Sequence, residues 1–307
     1  MSKNRFIVIT GPTATGKTQV SVALAKALGS QVISADSMQL YRGMDIGTAK
    51  ATRSEMDGVT HHFIDILTPG EEYSVAQFQQ SAFKKIDELN AKGVAAVVAG
   101  GTGLYINSLV YKLDFSNSRK NDALRQKYNK LADDKSVEYL YNILSKKDPE
   151  YAAVISSTDL RRIVRRLEII ATAGVQPYDF RQPSEDYDIA IFGLTMPREL
   201  LYARVNERVD QMMQGGLMDE VKNVYQAFGN VAALKGIGYK ELIGFFEDEY
   251  DLEEAVRLIK RNTRRFAKRQ MTWFKKDERI HWLDVQSYAN TEDITKVILG
   301  VLKRKGF

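Results

Sequence analysis

Residues 11–18 read GPTATGKT, a G-x-x-x-x-G-K-[ST] loop, and what lies on either side of it decides the fold. Before it comes Phe6-Ile7-Val8-Ile9, a short apolar run of strand character. After it, Val20, Ala23, Leu24 and Ala27 recur at helical spacing. Strand, glycine turn and helix start in that order aim backbone N–H groups and the positive end of a helix at one point. A diphosphate fits there. Gly11, Pro12, Thr13, Ala14, Thr15 and Gly16 would wrap it, Lys17 would neutralise its charge, and the Thr18 hydroxyl would face Mg²⁺, directly or through water. A strand–helix turn that binds nothing is not expected to carry the whole pattern intact. The motif also permits ATP.

Outward from the loop, strand and helix alternate. Gln31–Ala35 reads as a second strand ending in Asp36, and Phe63–Leu67 (FIDIL) as a third. A helix is expected from a cap at Ser74 to about Asn90, with Val75, Phe78, Phe83 and Ile86 inward. Val94–Ala99 has the composition of a central parallel strand buried on both faces, and it exits into GGTG at 100–103. In open α/β sheets ligands sit at the carboxyl ends of strands, so the P-loop, Asp36 and GGTG should converge. From about Phe115 the texture turns polar and helical, until Asp188–Leu194 returns to core-strand character and a helix follows with Pro197 in its first turn. The expected fold is therefore α/β: a P-loop parallel sheet flanked by helices. Residues 1–115 begin the core, 116–186 form a helical insertion, and 187–307 complete the core and add helical carboxyl-terminal elements.

At 307 residues the chain is long for one core. It has no cysteine, which excludes disulfides, a thiol nucleophile and any Cys-ligated zinc. Its three histidines, two of them adjacent at 61 and 62, support no histidine metal site. The start, MSKNRFIVIT, passes straight into a strand, so no signal peptide is expected, and no apolar stretch approaches the ~20 residues that span a bilayer. A cytoplasmic monomer without membrane contact is expected. The charge is localised. Between Ala255 and Ile280 ten Lys/Arg face two acids, a net +8 in a chain that totals +5, so the remainder sums to −3. Arg257, Lys260, Arg261, Arg264, Arg265 and Lys268 share one helical stripe, opposite Val256, Ile259, Thr263, Phe266 and Ala267. Six cations on one stripe repel one another unless a polyanion or carboxylates lie alongside.

The segment D-S-M-Q-L-Y-R-G-M-D-I-G-T-A-K at 36–50 is the most specific of the chain. With GPTATGKT, GGTGLY at 100–105 and R-N-T-R-R-F-A-K-R-Q-M-T-W-F at 261–274, it closely resembles the tRNA dimethylallyltransferases, also called tRNA isopentenyltransferases. The resemblance runs from about residue 5 to 285 in order and spacing. It implies transfer of a dimethylallyl group from dimethylallyl diphosphate to N6 of the adenosine 3′ to the anticodon, in tRNAs reading codons that begin with U. Diphosphate would leave with Mg²⁺. The resemblance gives Asp36 the role of base toward the exocyclic amine, whose lone pair is delocalised until it loses a proton. Taken alone, Asp36 is also compatible with a Walker-B-like Mg²⁺ ligand or a helix cap. By the same resemblance Arg208 contacts the diphosphate, while Ser37, Met38, Gln39 and Thr102 lie near the target nucleotide. Arg261, Arg264 and Arg265 of the stripe would contact RNA phosphates, which position rather than specify. So would Arg161, Arg162 and Arg165, with Arg166, in the insertion, and Lys240 after the glycine-rich turn of LKGIGYKE (234–241). Tyr41 and Tyr105 could stack on a base, although packing is the commoner role of such residues.

Three rival readings stand beside this one. A small-molecule kinase or NTPase would normally carry an aspartate where Val94–Ala99 ends in glycines, and it leaves the basic clusters without a task. A free-adenylate isopentenyltransferase would need neither the insertion nor the +8 segment. A non-catalytic RNA-binding module leaves Lys17, Thr18 and Asp36 unexplained.

Overall fold

Short apolar runs that exit into glycine turns can be buried on both faces only when helices cover both sides of the sheet they form. The computed structural model describes residues 3–113, 115, 121–175 and 182–307. Among these, β1 (Arg5–Thr10), β2 (Val32–Ser34), β3 (His61–His62), β4 (Ala96–Ala99), β5 (Asp188–Thr195) and β6 (His281–Asp284) make one sheet in the order β3-β2-β4-β1-β5-β6. Every pairing is parallel. The P-loop strand β1 lies between β4 and β5, and Phe6 to Ile9 are fully buried. Helix α1 (Lys17–Ala27) follows it, and its Val20, Leu24 and Ala25 join Ile7, Ile9, Phe192 and the terminal helix in one core.

The chain divides into two compact units, Met1–Val110 with Ser184–Phe307, and Tyr111–Pro183. In the first unit, α2 (Arg53–Met56) and α3 (Val75–Asn90) both begin with capping boxes. Ser74 accepts the Gln77 N–H, and Gln77 reaches back to Ser74. Phe78, Ala82, Ile86 and Leu89 form the buried face of α3, and α4 (Gly103–Val110) starts directly from the GGTG turn. The second unit holds α5 (Asp122–Asp134), α6 (Val137–Lys147), α7 (Pro149–Ala153) and α8 (Leu160–Ala173) around Leu140, Leu144, Ile163 and Leu167. The first unit then continues through α9 (Arg198–Gln214), α10 (Leu217–Phe228), α11 (Tyr239–Phe246), α12 (Leu252–Phe274) and α13 (Thr291–Arg304). None of the helices, among the described residues, is long and apolar enough to cross a membrane.

Two local expectations are corrected. The FIDIL run is not a strand: β3 ends at His62, Phe63 and Asp65 take positive φ of 61° and 55°, and Leu67 makes only an isolated bridge to Tyr41. That turn presents the Asp65 carboxylate to Lys50, a nonlocal demand that overrides strand propensity. The basic cluster of the insertion is not one surface. Arg161 and Arg162 are exposed, but Arg166 is buried, ion-paired to Asp148 at 2.5 Å and placed over the Tyr151 ring. Arg165 lies between these extremes, bonded to the buried Glu168 at 2.6 Å, an acid that also takes Arg125 and the Asn121 N–H. Helical periodicity places four arginines on two adjacent faces, and the core claims one of them.

Candidate active site

The P-loop leaves β1 through Gly11, whose φ of 134° and contact with β5 admit no side chain, since an added Cβ would lie 2.3 Å from the Leu194 carbonyl oxygen. Ala14 and Gly16 take positive φ, and α1 begins at Lys17 with no side-chain cap on its first amides. Those N–H groups and the helix dipole therefore point into the loop. Thr15 Oγ1 donates to the Pro12 carbonyl, and Lys17 Nζ donates to the same oxygen at 2.7 Å. Thr13 is bound by its backbone N–H to Gln270 Oε1 at 2.8 Å.

Asp36 stands at the exit of β2, recessed beside Lys17. Its Oδ1 accepts the Met38 N–H at 2.9 Å. Burial raises the Asp36 pKa above the ordinary carboxylate range, against the opposing pull of the Met38 and Gln39 amides and the Lys17 ammonium. Burial also lowers Lys17 to about 8, with Asp36 opposing and Arg208 assisting. The GGTG turn closes on the same place. Ala35 donates its N–H to the Ala99 carbonyl, Gly100 packs so closely on Ala35 that a Cβ would lie 2.2 Å from its oxygen, and Thr102 Oγ1 accepts the Ser37 N–H at 3.1 Å. Gln270 Nε2 donates to the Gly101 carbonyl at 2.9 Å. One side chain of α12 thus binds both glycine-rich loops.

The motif loop 36–50 is held from behind. Glu220, in the first turn of α10, accepts the N–H groups of Asp45, Ile46 and Gly47 at 2.8, 2.7 and 3.0 Å and the Tyr239 hydroxyl at 2.6 Å. Lys50 is buried and bonds Asp65 at 2.6 Å, Asp45 at 2.5 Å and the Tyr41 carbonyl at 2.7 Å. Gln39 accepts from Ser34 Oγ and donates to the Thr48 and Ala49 carbonyls, while Ser37 and Met38 are partly open beside it. Tyr239, which ends the glycine-rich turn before Lys240, is 1% exposed and packed on Gly47. Lys240, the next residue, is exposed near Glu241. Tyr105 stacks on Phe78 in the core at 4.0 Å, and Tyr41 is likewise buried. A Cβ on Gly47 would lie 2.5 Å from the Tyr239 ring, so Gly47→Ala should cost about 1–3 kcal/mol in urea unfolding and lower the turnover of the folded fraction. Unchanged stability would show that the loop tolerates displacement of Tyr239.

Arg208 of α9 lies near enough to Lys17 for its charge to lower the ammonium's pKa. Its guanidinium is largely desolvated, which lowers its pKa; Glu55 opposes this and Arg204 adds to it. It has no hydrogen-bond partner among the described residues. A cleft of about 620 Å³ opens there, lined by Ala14, Thr15, Gly16, Arg204, Arg208 and Tyr288 among others. An unpaired, desolvated guanidinium at a helix N-terminus is built for an anion.

The α12 stripe is divided. Arg257 pairs with Glu254, Lys260 with Asp210 at 2.6 Å, and Arg264 donates to Asn206 Oδ1 at 2.5 Å. Arg261 buries its Nε without a hydrogen-bond partner. Arg265, Lys268 and Arg269 are exposed. Carboxylates lie alongside the first turns of the stripe and solvent along the last.

Mg²⁺ takes few protein ligands and keeps waters and phosphate oxygens. Among the described residues no group of three or more His, Asp or Glu side chains could cage a cation. The Thr18 hydroxyl makes no hydrogen bond among them, which suits a cation held mainly by a bound diphosphate.

Comparison with known proteins adds the following. The family model described as IPP transferase matches residues 39–277. The chain is 48% identical over 307 residues to a tRNA dimethylallyltransferase of Alkaliphilus oremlandii, covering 98% of each chain. It is 44% identical to one of Bacillus cereus, covering 99% of this chain and 98% of the other. Its structure matches that of a full-length tRNA isopentenylpyrophosphate transferase from Bacillus halodurans with a TM-score of 0.74 at 42% identity, covering 99% and 98%. A eukaryotic dimethylallyltransferase acting on tRNA matches with a TM-score of 0.76 at 29% identity, covering 92% of this chain and 74% of that one.

Proposed function

Because this chain belongs to the IPP transferase family, we propose that it transfers a dimethylallyl group from dimethylallyl diphosphate to N6 of the adenosine 3′ to the anticodon, in tRNAs reading U-initial codons. The observation that carries the reading is that Lys17 and Asp36 lie close enough to shift each other's ionisation. An anion-binding ammonium and a carboxylate with a raised pKa occupy one recessed site at the exits of β1 and β2, the two strands that flank β4. The target base leaves its stack to reach such a site. The α1 amides, Lys17 and Arg208 bind the diphosphate and stabilise the charge that grows on its departing oxygen. The bond from the allylic carbon to that oxygen breaks as the bond to N6 forms, and Asp36 takes the N6 proton. Mg²⁺, held by the diphosphate and Thr18, would add positive charge beside the leaving oxygens. Ser37, Met38, Gln39 and Thr102 line the approach of the nucleotide. Arg161, Arg162 and Arg165, in a unit read as the anticodon stem-loop contact, join Lys240 and the α12 cations in binding the RNA backbone. The enzyme acts as a monomer in the cytoplasm, where its substrates are.

Labelled dimethylallyl diphosphate offered with unmodified tRNA or AMP, beside a reaction with ATP alone, tests the reading. Label should enter tRNA. Label in AMP would assign a free-adenylate transferase, ATP turnover a kinase or NTPase, and RNA binding without transfer a non-catalytic module.

Salt separates the α12 cations by role. Affinity for tRNA should fall with a log–log slope of about −0.7 or steeper per phosphate contact. Arg265→Gln with Lys268→Gln should flatten that slope by about one contact each, whereas Arg257→Gln, whose guanidinium already has Glu254, should leave it nearly unchanged. Equal slopes in all variants would make the open end of the stripe a solvated face.

A further inference from the structure

Trp273 follows Gln270 by one helical turn on α12 and borders the same glycine loop. Its indole lies over Gly103, where an added Cβ would come within 2.4 Å of Nε1 and 2.6 Å of Cδ1. Nε1 donates to Asn107 Oδ1 at 3.3 Å. The ring is therefore fixed along its pyrrole edge, yet the residue is 39% exposed. Leu104, 47% exposed, adjoins it through the loop. Arg265 and Arg269, both exposed, lie two turns and one turn back along the same face of the helix. Thr102, next to Gly103, binds the Ser37 amide, and Ser37 follows Asp36. A half-open indole, oriented by a hydrogen bond and flanked by cations, thus stands at the rim of the site rather than in the core.

We propose that Trp273 is a stacking platform for a nucleobase of the RNA loop, a neighbour of the one delivered to Asp36. The proposal rests on the reading of an RNA acceptor given above. Extruding the target base strips its loop neighbours of a stacking partner, and an indole face supplies one without reading base identity. Arg265 and Arg269 are placed to take phosphates of the same stretch of backbone. Core packing explains the edge that meets Gly103, but it leaves the exposed part of Trp273 without a task.

The chain has two tryptophans, and Trp282 packs on Gly193. Trp282→Phe therefore leaves Trp273 as the sole indole emitter. This variant is titrated with unmodified anticodon stem-loop RNA while the anisotropy of a dye on the RNA reports binding. Indole emission should be quenched in step with binding. Trp273→Ala should bind ~5–150-fold more weakly, with Trp273→Phe recovering most of the loss. In a set of RNAs made abasic one loop position at a time, one position should weaken the wild type and not Trp273→Ala. RNA binding without any change in emission, or an alanine penalty equal for every abasic RNA, would overturn the platform and leave the acceptor reading standing. No RNA binding at all would overturn both.

Discussion

Asp36→Asn should slow single-turnover transfer by ~10²–10⁴-fold, with the affinities for tRNA and dimethylallyl diphosphate changed far less. Asparagine keeps an Oδ1 that can accept the Met38 N–H, so the loop retains its shape while losing its proton acceptor. In the native enzyme the base must be ionised. Turnover should fall as pH drops through the Asp36 pKa, and because burial raises that pKa, the fall begins above the ordinary carboxylate range. The acid limb should vanish in the asparagine variant. Single-turnover rates across a Mg²⁺ titration separate the alternative role: rescue by high Mg²⁺ would assign a metal ligand. Near-native chemistry in Asp36→Asn would remove the base assignment outright.

Lys17→Ala should lower kcat/KM for the allyl donor by ~10²–10³-fold, the scale of removing one preorganised donor from a developing anion. Affinity for tRNA should persist, since the residues proposed to contact RNA lie on other elements. Two pH effects accompany the loss. In the native enzyme burial holds Lys17 near 8, so donor binding should weaken as pH rises through that value and the ammonium discharges. In the variant Asp36 loses the cation that draws its pKa down, so the acid limb of turnover should move to higher pH. Loss of tRNA binding with normal donor kinetics would mean that the loop has been assigned to the wrong substrate.

Local signals announced much of this architecture. The β1–loop–α1 unit, the capping box at Ser74 and the doubly buried strand at 96–99 each follow from periodicity or cap chemistry over a few residues. What escaped was settled by partners far away in the chain. Nothing around Lys50 foretells a buried ammonium, because its carboxylates arrive from Asp45 and from a turn at Asp65. Glu220 reads as an ordinary acid in the first turn of a helix, yet it organises three amides of the motif loop. The division of the cation stripe depends on Asp210 and Asn206 of α9. Gln270 did leave a trace. It falls in phase with Ile259, Ala267 and Phe274 on the buried face of an otherwise cationic helix, and a polar residue in that phase needs partners there.

The place of β1 between β4 and β5 matters while the chain is being made. β4 emerges early, but β5 follows only after 111–183, a unit with its own core. Until residue 188 appears, one edge of β1 offers its backbone groups to any passing strand, a known route to aggregation. At a synthesis rate of ~5–20 residues per second that interval lasts roughly 4–17 s. Gln270 comes later still, so the two glycine loops meet their shared tether only as translation nears its end. The nascent chain's need for chaperones should be concentrated in that window.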